Sequence, residues 1–141
     1  MPAIAQLPRT IYPITVRRMD YEFTPDIPKH WADDNPVLTA FMSALSATFP
    51  PGERFFIESV RHYAERVTDP ALKERIRGFI GQEANHTKEH IAFNAFLATR
   101  GYPVAQIEKR VERILRRIAK RSSPASNLAQ TAALEHLTAF L

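Results

Sequence analysis

Apolar residues recur with helical period in five stretches of the chain, and each stretch begins beside a proline. Pro36 follows Asn35, Pro51 follows Pro50, Pro70 follows Asp69, Pro103 follows Tyr102 and Pro124 follows Ser123. Proline suits the first helical position, where its missing N–H has no partner to lose. Asn35, Asp69 and Ser123 are N-cap residues whose side-chain oxygens accept free first-turn N–H groups. The pattern predicts helices over 36–48, 51–67, 70–99, 103–121 and 124–141, with Gly101 ending the third. The other prolines crowd into the first 30 residues, so 1–34 reads as an extended arm and 35–141 as a helical domain. Within the arm, Thr15 to Phe23 is a candidate short strand. The fold class is all-α, a helical bundle preceded by the arm.

The third helix carries the chemistry. At about 100° per residue, Leu72, Ile76, Phe79, Phe93 and Leu97 share one face with Glu83. His86 and His90 fall on that same face and Asn94 extends it, so a carboxylate and two imidazoles interrupt a stripe that should be core. A buried carboxylate needs a positive neighbour or a metal, and Glu-x-x-His presents two ligands on one helical face. The competing reading is a structural Glu–His cluster; His90 on the same face tips the balance toward ligands.

A bundle site draws carboxylates from other helices. Glu53 projects beside Ile57, Val60 and Ala64, and geometry alone divides it evenly between a ligand and an exposed partner of the helix dipole. Glu58 and His62 lie on the opposite side as an expected surface ion pair. The last helix is apolar almost all round and is expected to be buried on most sides. Glu135 within it, among Leu128, Thr131, Ala132, Thr138 and Ala139, reads as a ligand, with His136 as a supporting donor. His30 and Trp31, ahead of the first helix, read as packing or surface residues.

Composition narrows the classes. The 141 residues contain no cysteine, which excludes disulfide scaffolds, cysteine nucleophiles and Cys-ligated metals. With 45% hydrophobic and 10% aromatic residues the chain is not wholly disordered. No apolar run is long enough for a membrane span, and no signal peptide is visible, so a cytoplasmic protein is expected. The net charge of +4 belongs to helix 103–121, where seven basic residues face Glu108 and Glu112. Its apolar positions Ile107, Val111, Ile114, Leu115 and Ile118 form one stripe. The basic face reads first as solvated surface, and second as a contact for an acidic partner or an anionic membrane. Nucleic acid is not expected, since no aromatic residues interleave the basic ones.

Several segments taken together resemble a known bacterial family, the predicted metal-dependent hydrolases. They are Val16-Arg17-Arg18-Met19-Asp20, Asn35-Pro36-Val37-Leu38-Thr39, Phe49-Pro50-Pro51-Gly52-Glu53-Arg54-Phe55-Phe56, Gln82 through His90, and Leu134-Glu135-His136-Leu137-Thr138-Ala139. The resemblance implies a ferritin-like bundle with a dinuclear metal centre, and it raises Glu53 as a ligand beside Glu83, His86, His90 and Glu135. Family members are longer and carry a second Glu-x-x-His in their later part, whereas Glu83 to His86 is the one such pair here. The chain is therefore expected to be the first portion of a longer protein, or to be completed by a second copy. Carboxylate-rich bundles suit iron, with manganese or zinc as alternatives. By fold-level analogy, oxidation of a small apolar or amphipathic substrate is favoured over hydrolysis. No His-Glu-x-x-His or Ser-His-Asp arrangement identifies a catalytic residue. A non-catalytic module using its basic helix, or an iron store, completes the set of expectations.

Overall fold

The computed structural model describes residues 12–139. Five helices follow in order: α1 (Pro36–Ser46), α2 (Phe49–Ala64), α3 (Pro70–Thr99), α4 (Val104–Arg121) and α5 (Pro124–Thr138). The bundle is all-α, as the periodicity implies. The caps hold as well. Asn35 accepts from the N–H groups of Val37 and Leu38, Asp69 from Ala71 and Leu72, and Ser123 from Ser126. After α3, Gly101 takes φ +85°, the Gly101 N–H reaches the Ala98 carbonyl and the Tyr102 N–H reaches the Leu97 carbonyl. This double closure needs a left-handed residue, which glycine supplies without strain.

α1 ends two residues before the expected boundary, at Ser46, and α2 differs from the sequence pattern at both ends. α2 starts at Phe49, because Pro50 and Pro51 both fit in the first turn, where no N–H is needed. It ends at Ala64, and tight turns to the carbonyls of Tyr63 and Ala64 carry the chain toward α3. The expected strand at Thr15–Phe23 does not form; no strand exists among the described residues. The arm's N–H groups go to side chains of α3 instead. Gln82 Oε1 accepts from Arg17 at 2.9 Å, and the Glu89 carboxylate accepts from Asp20 at 3.2 Å and Tyr21 at 3.0 Å. Residues 1–11 of the arm and the end of the last expected helix lie outside the described residues.

α2 and α3 form the main hairpin, with α4 and α5 packed on α2 and α1 crossing α3. Ala47, Leu97 and Val104 make a small dry core flanked by Phe93, Phe96, Tyr102 and Ile107. α5 is not buried on most sides. Thr131 is its one buried residue, and Leu137 is 59% exposed. Its apolar circumference could be read from sequence, but not which sides have neighbours. It packs on α2 and α4, while a cleft of about 370 Å³ separates it from α3, lined by Tyr63, Leu72, Ile76, Phe79, Leu128 and Glu135. α1 also reverses ordinary polarity. Thr39, Ser43 and Ser46 face inward, while Val37 and Phe41 are 76% and 57% exposed.

Two glycines let the arm lie against α3. A Cβ on Gly78 would sit 2.7 Å from the Ile14 carbonyl oxygen, and one on Gly81 would sit 2.9 Å from Val16 Cγ2. Gly52, inside α2, has nothing within 4 Å of its virtual Cβ. Gly78→Ala should therefore destabilise the protein by about 1–2 kcal/mol despite alanine's better helix propensity. Gly52→Ala should stabilise it by up to about 1 kcal/mol. Urea denaturation of the two variants checks this, and a stabilised Gly78→Ala would mean the arm does not lie where described.

A candidate metal centre

Glu83, His86 and His90 are spaced by three and four residues on α3, which stacks them along one face. Opposite them α2 delivers Glu53, whose helix is seated by the buried Phe55, Phe56 and Ile57. Glu53 is 1% exposed, so the exposed dipole-partner reading fails and the inward one holds. Glu53, His86 and His90 each offer a ligand atom within 4.8 Å of the others. His90 Nε2 lies 3.1 Å from His86 Nε2. Glu53 Oε1 is 2.9 Å from His86 Nδ1, while Thr87 Oγ1 donates to Glu53 Oε2 at 2.6 Å. The first of these contacts has the distance of a hydrogen bond but poor alignment, and it leaves the buried Oε1 without a well-directed donor.

Glu83 and Glu135 border this group without joining it. Glu83 is buried; burial first, then the charges of Glu135 and Glu53, push its pKa up to about 7. Burial and Glu53 likewise raise Glu135. The close Glu53 carboxylate raises His86, whereas burial drives His90 down to about 4. Among the described residues no lysine or arginine pairs with Glu53, Glu83 or Glu135. The positive influence on Glu83 and Glu135 comes from His86. His136 is exposed, on a different side of α5 from Glu135. Glu58 and His62 are exposed and do not pair; His62 instead meets the Tyr63 ring edge-on at 4.9 Å.

Further residues support the site. Phe49 stacks on the His90 ring at 4.4 Å with an interplanar angle of 8°. Ser46 and Asn94 hydrogen-bond behind His90, and Asn94 Nδ2 reaches Glu108 Oε1 at 2.9 Å. Asn94 stood on the helix face already; Ser46, Phe49 and Glu108 come from other helices, and the polar stripe on an otherwise apolar α1 is a signal for Ser46 alone. In front of the histidines lies a cavity of about 500 Å³, walled by Tyr21, Phe23, Ile27, Trp31 and Phe93. Trp31 packs edge-on against Phe93 at 5.1 Å. The arm forms one wall of this open space because Glu89 holds Tyr21, and Arg100 donates to the Pro25 and Ile27 carbonyls at 2.8 Å each.

The donors fit a divalent cation. Two imidazole nitrogens bound to one ion at about 2.1 Å stand about 3.0 Å apart at a right angle and about 3.4 Å apart at the tetrahedral angle, a span that includes the 3.1 Å seen here. The misdirected Glu53 Oε1 and the unneutralised carboxylates supply the negative field. Fold and donor set together define a helical bundle with a Glu–His–His group that could hold a metal ion. The chain belongs to the predicted metal-dependent hydrolase family, whose model matches residues 15–141. No curated protein and no solved structure matches it.

Because folded Glu83 keeps its proton to higher pH than an unfolded glutamate, its contribution to stability is present at low pH and lost as pH rises through about 7. The raised His86 acts in the same direction, and the opposite contribution of His90 is mostly complete by about pH 6.5. In chelator the protein should lose about 1 kcal/mol of stability between about pH 6.5 and 8, and Glu83→Gln should flatten the loss. Chemical denaturation across that range reads it; a rise in stability would contradict the electrostatic account.

Proposed function

We propose that the protein is a metal-dependent hydrolase in which Glu53, His86 and His90 hold a divalent ion and the aromatic cavity receives the apolar part of an amphipathic substrate. The approach of two imidazole Nε2 atoms to 3.1 Å beside a buried carboxylate is the observation that carries this reading. When bound, such an ion supplies a Lewis acid and acidifies water. The chain's own groups supply the rest. Glu53 Oε1 sits 2.9 Å from His86 Nδ1 and supplies negative charge beside that ring, and the Phe49 ring holds the plane of His90. Glu83, poised near neutrality, is placed to accept a proton from water and return it to a leaving group. Tyr21, Phe23 and Trp31 give the substrate side an apolar wall.

The presence of Glu83 and Glu135 beside the first donor group favours a second reading: a ferritin-like dinuclear centre, with iron expected and manganese or zinc as alternatives, carrying out oxidation. The two readings share the donors and differ in whether dioxygen is consumed. A third, non-catalytic reading draws on the exposed basic side chains of α4 and makes no use of the cluster.

Chelator-treated protein given zinc, manganese or anaerobic ferrous iron should gain about 5–10 °C in melting temperature at saturating metal. The His86→Ala, His90→Ala double variant should lose that gain. Hydrolysis of chromogenic esters with lengthening acyl chains, run beside oxygen uptake by the iron form, separates the hydrolytic from the oxidative reading. A melting temperature indifferent to all three metals would leave the non-catalytic module.

A further inference from the structure

We propose that Glu108, Asn94 and Ser46 form a hydrogen-bond relay across α4, α3 and α1 that locks His90 in its Nδ1–H tautomer and turns its Nε2 lone pair toward His86. Glu108, on the basic helix and far from the ligand-bearing stripe in sequence, is thereby a positioning residue for the centre. The inference deepens the metal-binding reading above and rests on it only for its consequence, the metal affinity.

Each step follows from which atoms can donate. Asn94 is 4% exposed, so its amide must find partners within the protein. Its Nδ2 lies 2.9 Å from Glu108 Oε1 and 3.3 Å from the Ser46 carbonyl oxygen. A carboxylate and a carbonyl only accept, so the NH2 group must face them, and the flipped amide would set three acceptors against one another. That fixes Asn94 Oδ1 toward Ser46 Oγ, 2.8 Å away. An amide oxygen cannot donate, so the single hydroxyl proton of Ser46 is spent on Oδ1. Ser46 Oγ is also 2.8 Å from His90 Nδ1. With its proton committed, the hydroxyl can only accept there, and His90 must carry its hydrogen on Nδ1. Neutral imidazole has one N–H, which leaves Nε2 bare, 3.1 Å from His86 Nε2.

The relay also explains why one inward position of α1, Ser46, is polar. Ser46 is buried there, where an alanine would fill the space but leave the ring free to choose either tautomer. Glu108 starts the chain of constraints because a charged acceptor holds the amide more firmly than a neutral one.

The test is long-range 1H–15N correlation spectroscopy of histidine-labelled, chelator-treated chain at neutral pH, paired with zinc titration. His90 of the wild type should show a protonated Nδ1 and a bare Nε2. Ser46→Ala should mix the tautomers and weaken zinc about 10–100-fold, Glu108→Ala should do the same to a smaller extent, and Ser46→Thr should restore both readouts. A wild-type His90 protonated on Nε2 overturns the relay without recourse to any variant. So does a Ser46→Ala protein that keeps both the pure tautomer and the wild-type affinity. A correct tautomer in a wild type that binds no zinc upholds the relay and removes the metal reading instead.

Discussion

Burying the Glu53 carboxylate is the constraint around which the site is arranged. An ionised carboxylate removed from water costs several kcal/mol unless charge and hydrogen bonds replace its hydration. Here the replacements are partial: one hydroxyl, Thr87, and one imidazole at an awkward angle. Two further carboxylates, Glu83 and Glu135, stand near enough for Glu53 to raise the affinity of both for protons. A protein that needed only stability would place an arginine in this space or fill it with apolar side chains. Three acids left to share His86 describe a site that a bound cation would neutralise, in which case ion binding and folding stability are linked.

The arm and the cavity depend on the same helix face. Glu83, His86 and His90 point from α3 toward α2, and Gln82 and Glu89, at neighbouring turns, capture the arm's backbone. Gly78 and Gly81 remove the side chains that would hold the arm away. The arm then brings Tyr21, Phe23 and Trp31 beside the histidines and turns a helix surface into an open, apolar-walled cleft. α3 thus positions both the candidate ligands and the wall a substrate would meet.

Much of this was legible in the chain. Helix starts could be read because proline and an Asx or Ser cap are local signals, needing no knowledge of the partner helix. Glu83, His86 and His90 could be grouped because a single helical period relates them. Glu53 could not be settled that way, since facing inward and facing the dipole look alike until α2 meets α3; its burial decides the matter. The supporting residues were less visible still. Ser46 and Glu108 reach Asn94 from helices 48 and 14 residues away, a juxtaposition that only tertiary packing creates. The exposed side of α5 and the missing strand have one cause: hydrophobicity and β-propensity state what a segment can do, while its neighbours decide what it does. The arm found side-chain acceptors on α3 before it found another strand.

The central claim is that the imidazoles of α3 and the carboxylate of α2 bind one divalent ion. X-ray absorption fine structure of the cobalt- or zinc-loaded protein measures this directly. The account predicts two imidazole rings in the inner shell at about 2.0–2.1 Å together with carboxylate oxygen, and loss of the imidazole scattering in the His86→Ala, His90→Ala protein. An all-oxygen shell without imidazole scattering, unchanged by that double substitution, would contradict it.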